Sequence, residues 1–189
     1  LLSASRTIKG CNIRVMVEYA PTNMASNNAK TLFYRQLRKV SKIKDRNEKL
    51  IVIGDFNAQS QITSKHACFR PEKVLSNCSS NENGELLLDY CRETGLSVLN
   101  SWFKHRPKHQ LTWYSADGKT RRTLDYSLCE SWLRQYAVDC RVRCGFDFES
   151  DHKLLVTTYR TPASKVARYK YRKPKTAKKP DTGALLDPN

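Results

Sequence analysis

The sequence lacks any run near the roughly 18 apolar residues that a membrane-crossing helix needs, so no membrane span is read from it. Its first residues, LLSASRTIKG, have neither the charged start nor the apolar stretch of a signal peptide. No initiator methionine opens the chain, and the abrupt start reads as that of a fragment. Acidic residues are scarce: 18 Asp and Glu stand against 34 Lys and Arg, a net charge of +16. Such a balance favours a polyanionic partner such as nucleic acid and carries no information about fold. A disulfide framework is not expected either, because the seven cysteines are odd in number and irregularly spaced. A reducing compartment suits them better. Cys140 and Cys144 lie close together, but no second Cys/His pair has zinc-finger spacing, so both are read as strand residues. No internal repeat is present.

What remains is 189 residues, enough for one domain with a sizeable core. The charge is uneven: residues 160–189 carry nine Lys or Arg and two Asp, net +7, and residues 1–159 carry 25 and 16, net +9. Residues 160–189 are read as a basic, disordered tail or linker, because they are rich in Lys, Arg and Pro and poor in large apolar residues. Within it, Lys170 to Lys179 has the composition of a nuclear-localisation run, although such runs are common in solvated tails. Nuclear localisation is the expectation, with the cytoplasm as the alternative.

Elements follow from periodicity. Ile13 to Tyr19 alternates as a strand and stops at Pro21. Asn28 reads as a helix cap, with Leu32, Phe33, Leu37, Val40 and Ile43 forming the apolar face and Arg35, Arg38, Lys39 and Lys42 the basic one. Leu50 to Ile53 is a short β-branched run that reads as a buried strand. Residues 58–82 read as a long irregular loop. Gly84 to Thr94 reads as a helix stopped by Gly95. LSVLNSWF reads as a strand. Leu111 to Tyr114 and Thr123 to Leu128 read as two strands of a hairpin around Ala-Asp-Gly-Lys. Val138 to Cys144 and Lys153 to Tyr159 complete the set. Strands alternate with helices at first and dominate later, an α/β chain.

Polar residues cluster where these strands end. Asp55 and Asn57 follow the Leu50–Ile53 run, Tyr19 ends the first strand, and Asp151 and His152 precede the last. Taken singly, Asp or Asn beside Gly is most often turn chemistry, an Asp-His pair is most often a cap, and a Tyr is most often core. Asp125 is harder to dismiss: a carboxylate between the apolar residues of a strand needs a partner, and His152 is the obvious one. Together they form a chemical kit. Carboxylates suit Mg²⁺. A histidine held by an aspartate has a fixed tautomer. Asn and Tyr donate to a phosphoryl oxygen. That combination describes metal-assisted phosphodiester hydrolysis.

In this order, "YAPT", "GDFNA", "TW", "LDY" and "SDHKLL" resemble the endonuclease/exonuclease/phosphatase superfamily, with its deoxyribonuclease-I-like fold. "AKTLFYRQL", "NENGELLLDYCRETGLSVLNSWFKH", "HQLTWYS" and "RRTLDYSL" narrow the resemblance to the endonuclease domains of non-LTR (LINE-type) retrotransposons and the related craniofacial-development-protein-2-like copies. The resemblance implies DNA as partner and Mg²⁺, with Mn²⁺ as substitute, as cofactor. It implies that Asp55 orients the attacking water and that Asn57 holds Asp55 and the phosphate. Tyr19 would contact the phosphate, Asp125 would pair with His152, and His152 would bind a phosphate oxygen or handle a proton. Asp151 would hold the metal. Thr112 and Trp113 would form the site's wall; Trp113 is core first and DNA contact second, with Arg121 and Arg122 as further nucleic-acid contacts.

The resemblance runs from Ile13 to Tyr159 and makes residues 1–159 the C-terminal two-thirds of a four-layer α/β/β/α sandwich without its N-terminal strands. The superfamily's early Asn and metal-binding Glu have no match before Tyr19: Asn12 is in the wrong context, and Glu18 adjoins the tyrosine. An exposed sheet edge, exposed apolar surface and weak or absent nuclease activity are expected, unless an upstream or separate segment completes the fold. Two other readings compete: a non-catalytic nucleic-acid-binding remnant, and a phosphoesterase acting on a small phosphoester, which the retrotransposon-like words argue against.

Overall fold

A computed structural model describes residues 2–8, 10–43, 45, 47–60, 79–145 and 149–160. The basic tail beyond Arg160, its Lys170–Lys179 run and most of the expected 58–82 loop lie outside the described residues.

Strands β1 (Leu2–Ile8) and β2 (Cys11–Tyr19) form an antiparallel pair, and helix α1 (Asn27–Lys42) then crosses to β3 (Glu48–Asp55), parallel to β2. A parallel return needs such a crossover. Helix α2 (Glu82–Thr94) leads to β4 (Leu96–Val98); the short hairpin β5 (Trp113–Tyr114) and β6 (Arg121–Arg122) follows. Then come β7 (Asp125–Glu130), the single-turn α3 (Ser131–Arg134) and the antiparallel pair β8 (Ala137–Arg143) and β9 (Leu154–Tyr159). The main sheet has the order β1-β2-β3-β7-β4.

Three layers result among the described residues. On one face of the main sheet, Met16, Leu50, Val52 and Leu128 pack with Tyr34 and Leu37 of α1 and Leu87, Tyr90 and Cys91 of α2. On the other, Ile51 and Cys129 pack with Leu133, Cys140 and Leu155. The alternation of β3 explains the division, since successive residues of a strand face opposite sides. A cavity of about 420 Å³ opens between the sheets, lined by Val15, Val17, Ile51 and Ile53 on one side and Leu155 and Tyr159 on the other. Val17 is itself exposed, and β1 and β4 are the edge strands of the main sheet among the described residues.

Several local expectations are corrected. Ser26, not Asn28, caps α1, its Oγ accepting from the Ala29 amide. The buried face of α1 is Lys30, Tyr34, Leu37 and Ser41, whereas Leu32 and Ile43 are exposed. Polar residues take that face because they are paired: Lys30 Nζ donates to Asn23 O and Glu82 Oε2, both at 2.9 Å, and the Ser41 and Tyr90 hydroxyls meet at 2.7 Å. A hydrophobicity pattern cannot register such partners. LSVLNSWF is a strand only to Val98, then a 3₁₀ turn from Leu99 to Ser101. The Ala-Asp-Gly-Lys hairpin closes through Arg121–Arg122, and the run from Asp125 joins the main sheet instead. Thr112 causes the switch: its Oγ1 accepts from the amides of Leu124 and Asp125, taking them out of the hairpin ladder.

Candidate functional site

Three strand ends meet at one end of the main sheet. Tyr19, the last residue of β2, pairs in register with Asp55, the last of β3, and Asp55 pairs with Asp125, the first of β7. This alignment needs Gly54: a Cβ there would lie 2.0 Å from the Glu18 carbonyl oxygen, and its φ of +151° disfavours other residues. Tyr19 is 70% exposed, an apolar ring with a phenol left at the rim of the site.

His152 enters from the chain before β9. Its Nδ1 lies 2.9 Å from Asp125 Oδ2, and its Nε2 lies 3.8 Å from Asp55 Oδ2. The first is a hydrogen bond; the second is too long for one. With the Nδ1 proton given to Asp125, Nε2 faces the space beside Asp55. The expected Asp125–His152 pair is therefore formed. Asp125 is in turn fixed from behind, by Thr112 on its amide and by Asn100, whose Nδ2 donates to the Asp125 carbonyl at 3.0 Å.

Asn57 has a φ of +46°, a left-handed conformation that asparagine tolerates better than most residues. Its amide donates to Asp55 Oδ1 at 2.8 Å, and its Nδ2 donates to the Ala20 carbonyl at 3.0 Å and, at 3.4 Å, to Asp55 Oδ2. Both hydrogens of the carboxamide are thus directed at the protein. Asn57 holds Asp55, the first half of its expected role; in this geometry no side-chain donor is left over for a phosphate.

Asp151 lies next to the pair, and its Oδ2 accepts from the Trp113 indole at 2.6 Å. Trp113 also forms a bridge with His152, and the Lys153 amide donates to the Thr112 carbonyl at 2.7 Å. Trp113 and Thr112 are accordingly the wall that fixes the Asp151–His152 segment. Arg121 stacks over the Tyr114 ring at 5.4 Å and, with Arg122, occupies the adjoining hairpin.

Burial raises the pKa of Asp55 above the ordinary carboxylate value; the Asn57 amide opposes this, and the charge of Asp125 adds to it. The acidic pair fits a hard divalent cation in kind, since one or two carboxylates with waters suffice for Mg²⁺. Among the described residues, however, no group of three or more His, Cys, Asp or Glu is gathered as a metal cage. Glu18 does not supply the missing ligand. It lies on the helix-facing side of β2 with Met16, 3% exposed, whereas Asp55 lies on the other side of the sheet with Ile51 and Ile53.

Sequence reasoning missed Asn81, Asn83 and Asn100. The legible signal at Asn100 was an amide inside the apolar LSVLNSWF run; at Asn81 and Asn83 it was two amides and a glycine directly before an apolar helix.

Known proteins similar to this chain identify its fold and family. The chain is 32% identical over 158 residues to Craniofacial development protein 2 of Tragulus javanicus and of Bos taurus. That match covers 80% of this chain and about a quarter of those relatives' length. Among solved structures, the 3'-5' exonuclease NExo from Neisseria meningitidis superposes with a TM-score of 0.59 at 19% identity, covering 83% of this chain and 64% of that one. The endonuclease domain of TRAS1, a telomere-specific non-LTR retrotransposon, gives 0.54 at 18%, covering 82% and 59%. An AP endonuclease from Archaeoglobus fulgidus gives 0.56 at 18%, covering 82% and 63%. These likenesses establish the deoxyribonuclease-I-like fold. Residues 13–156 match the family described as Endonuclease-reverse transcriptase, and the chain belongs to that family, within the endonuclease/exonuclease/phosphatase superfamily.

Proposed function

We propose that this chain is part of a retrotransposon-derived endonuclease domain that hydrolyses phosphodiester bonds in DNA with Mg²⁺ or Mn²⁺. The observation that carries the reading is His152, held by Asp125 through Nδ1 with Nε2 directed toward Asp55 at 3.8 Å. In this scheme a water or phosphate oxygen lies to one side of Nε2 and Asp55, within reach of both. His152 carries or accepts a proton there, and Asp55, aligned by Asn57, orients the water. Tyr19 lies at the phosphate, and Trp113, Arg121 and Arg122 flank the path of the DNA. Asp151, beside Asp55, would help to hold the cation, which would supply electrostatic stabilisation of the developing phosphoryl charge when bound. The +16 charge draws a polyanion to the site.

Activity of this chain alone is proposed to be weak or absent. The open cavity between the sheets, and the 36–41% of the solved neighbours' length not covered by it, support completion by a further segment, upstream or separate. The same cavity and the absence of a three-ligand metal cage among the described residues favour, as the second reading, a non-catalytic nucleic-acid-binding remnant. Nuclear localisation through Lys170–Lys179 belongs to either reading.

Supercoiled-plasmid nicking with Mg²⁺ separates them. The endonuclease reading expects slow nicking that His152→Ala abolishes, or nicking only by a chain extended upstream. Plasmid binding without nicking by either form, retained in Asp55→Ala, sinks it in favour of the remnant.

A further inference from the structure

The N-terminus of α2 is stitched to the loop that carries Asn57. The Asn81 side chain makes three hydrogen bonds: Oδ1 accepts from the Gly84 amide and from the Gln59 amide, both at 2.8 Å, and Nδ2 donates to the Asn57 carbonyl at 2.9 Å. Asn83, fully buried, donates from Nδ2 to the Pro21 carbonyl at 2.8 Å and to the Asn57 carbonyl at 3.4 Å. Tyr34 OH donates to the Asn83 carbonyl at 3.1 Å and anchors that residue. Gly84 permits the approach, because a Cβ there would lie 2.0 Å from the Gln59 carbonyl oxygen.

Ordinary helix capping accounts for only part of this. A cap requires the Oδ1 acceptor on Gly84. It does not require the Nδ2 donor on Asn57, nor a second amide from Asn83 on the same carbonyl. Both donors converge on the residue whose left-handed backbone (φ +46°) directs its carboxamide to Asp55 and Ala20. That conformation is disfavoured for a residue with a side chain and persists where the surroundings enforce it. Asn83 also holds Pro21, two residues beyond Tyr19, so one helix terminus ties together the loops after β2 and β3.

We propose that Asn81 and Asn83 are positioning residues of the candidate active site: by holding the Asn57 carbonyl they impose the backbone from which Asn57 aligns Asp55. The assignment of a catalytic purpose rests on the endonuclease reading above; the structural linkage does not.

The test uses Asn81→Asp, which keeps the cap acceptor, since Asp and Asn cap about equally, and removes the Nδ2 donor. Asn81→Gly, a further substitution tolerated at a cap, serves if the aspartate variant fails to fold. NMR follows the exchange of the Asn57 side-chain amide and its three-bond HN–Hα coupling, which reports φ. Urea unfolding monitors stability, and plasmid nicking monitors turnover. The expected result is side-chain amide exchange at least tenfold faster and a shifted coupling in a protein that still unfolds cooperatively. Where the chain nicks, kcat falls at least tenfold with KM unchanged, and the loss disappears in an Asn57→Ala background. Unchanged Asn57 signals in the variants overturn the proposal, as does a kcat loss that adds in full to that of Asn57→Ala. If neither the wild-type chain nor a chain extended upstream nicks, the endonuclease reading fails while the NMR arm still decides the positioning role.

Discussion

Glu18 is a buried acid without a partner, and removing it should stabilise the protein in a pH-dependent way. It is 3% exposed, and neither carboxylate oxygen has a hydrogen-bond partner among the described residues. Burial pushes its pKa from the ordinary 4.5 up to about 7. The folded state therefore holds a proton that the unfolded state releases over that interval. The stability this acid permits is complete below pH 4.5 and declines as pH rises through about 7. At roughly 1.4 kcal/mol per pKa unit, the decline is about 3 kcal/mol, an upper value because relaxation and water entry lower the cost of a buried charge. Replacing Glu18 by methionine, of similar length and without a charge, removes the titration. Urea unfolding of both proteins between about pH 5 and pH 8 measures the difference. Glu18→Met should gain on the wild type as pH rises, by 1–3 kcal/mol in the order of magnitude set by the pKa shift. Parallel pH profiles for the two proteins would refute the reasoning and place the Glu18 carboxylate in contact with water or a cation.

Further predictions concern the site and its supports. In a chain that nicks DNA, activity should rise with pH through a titration above the ordinary carboxylate range, because burial and Asp125 raise Asp55; Asp125→Asn should move that titration down and, by weakening the hold on His152, lower kcat by about 10²-fold. A pH–rate profile checks both parts. Lys30→Met removes the buried partner of Glu82 and of the Asn23 carbonyl, and should cost about 2 kcal/mol in urea unfolding, since Glu82 retains access to solvent. Gly54→Ala should prevent close pairing of β2 with β3, seen as loss of cooperative thermal unfolding, because the added methyl would meet the Glu18 carbonyl oxygen at 2.0 Å.

The small words of the sequence carried most of the site. Asp125 declared itself because a charge inside an apolar strand must be paired, and His152 is its partner. Asp55 and Asn57 declared themselves only as part of an ordered set, since each alone reads as a turn. The apolar face of α1 was read correctly at Phe33, Leu37 and Val40 but not at Leu32 and Ile43, and it omitted Lys30 and Ser41, which are buried against partners from α2 that local hydrophobicity cannot register. The hairpin was misread because Thr112, beside one strand, captures the amides at the start of β7. Asn81 and Asn83 were passed over because their contacts with the Asn57 carbonyl arise 24 and 26 residues away in sequence.

By itself, then, the sequence determined the strongly basic charge, the α/β class and the identity of the groups gathered at the strand ends, because these follow from residue type and strand period. Tertiary structure alone decided how those groups meet. The register of β2, β3 and β7 brings Tyr19, Asp55 and Asp125 into line, and the sheet places Glu18 on the face opposite the site, where it cannot replace a metal ligand. The physical reason is that pairing and facing are long-range choices: a strand's alternation says which residues share a side, and only the neighbouring elements say what lies on that side.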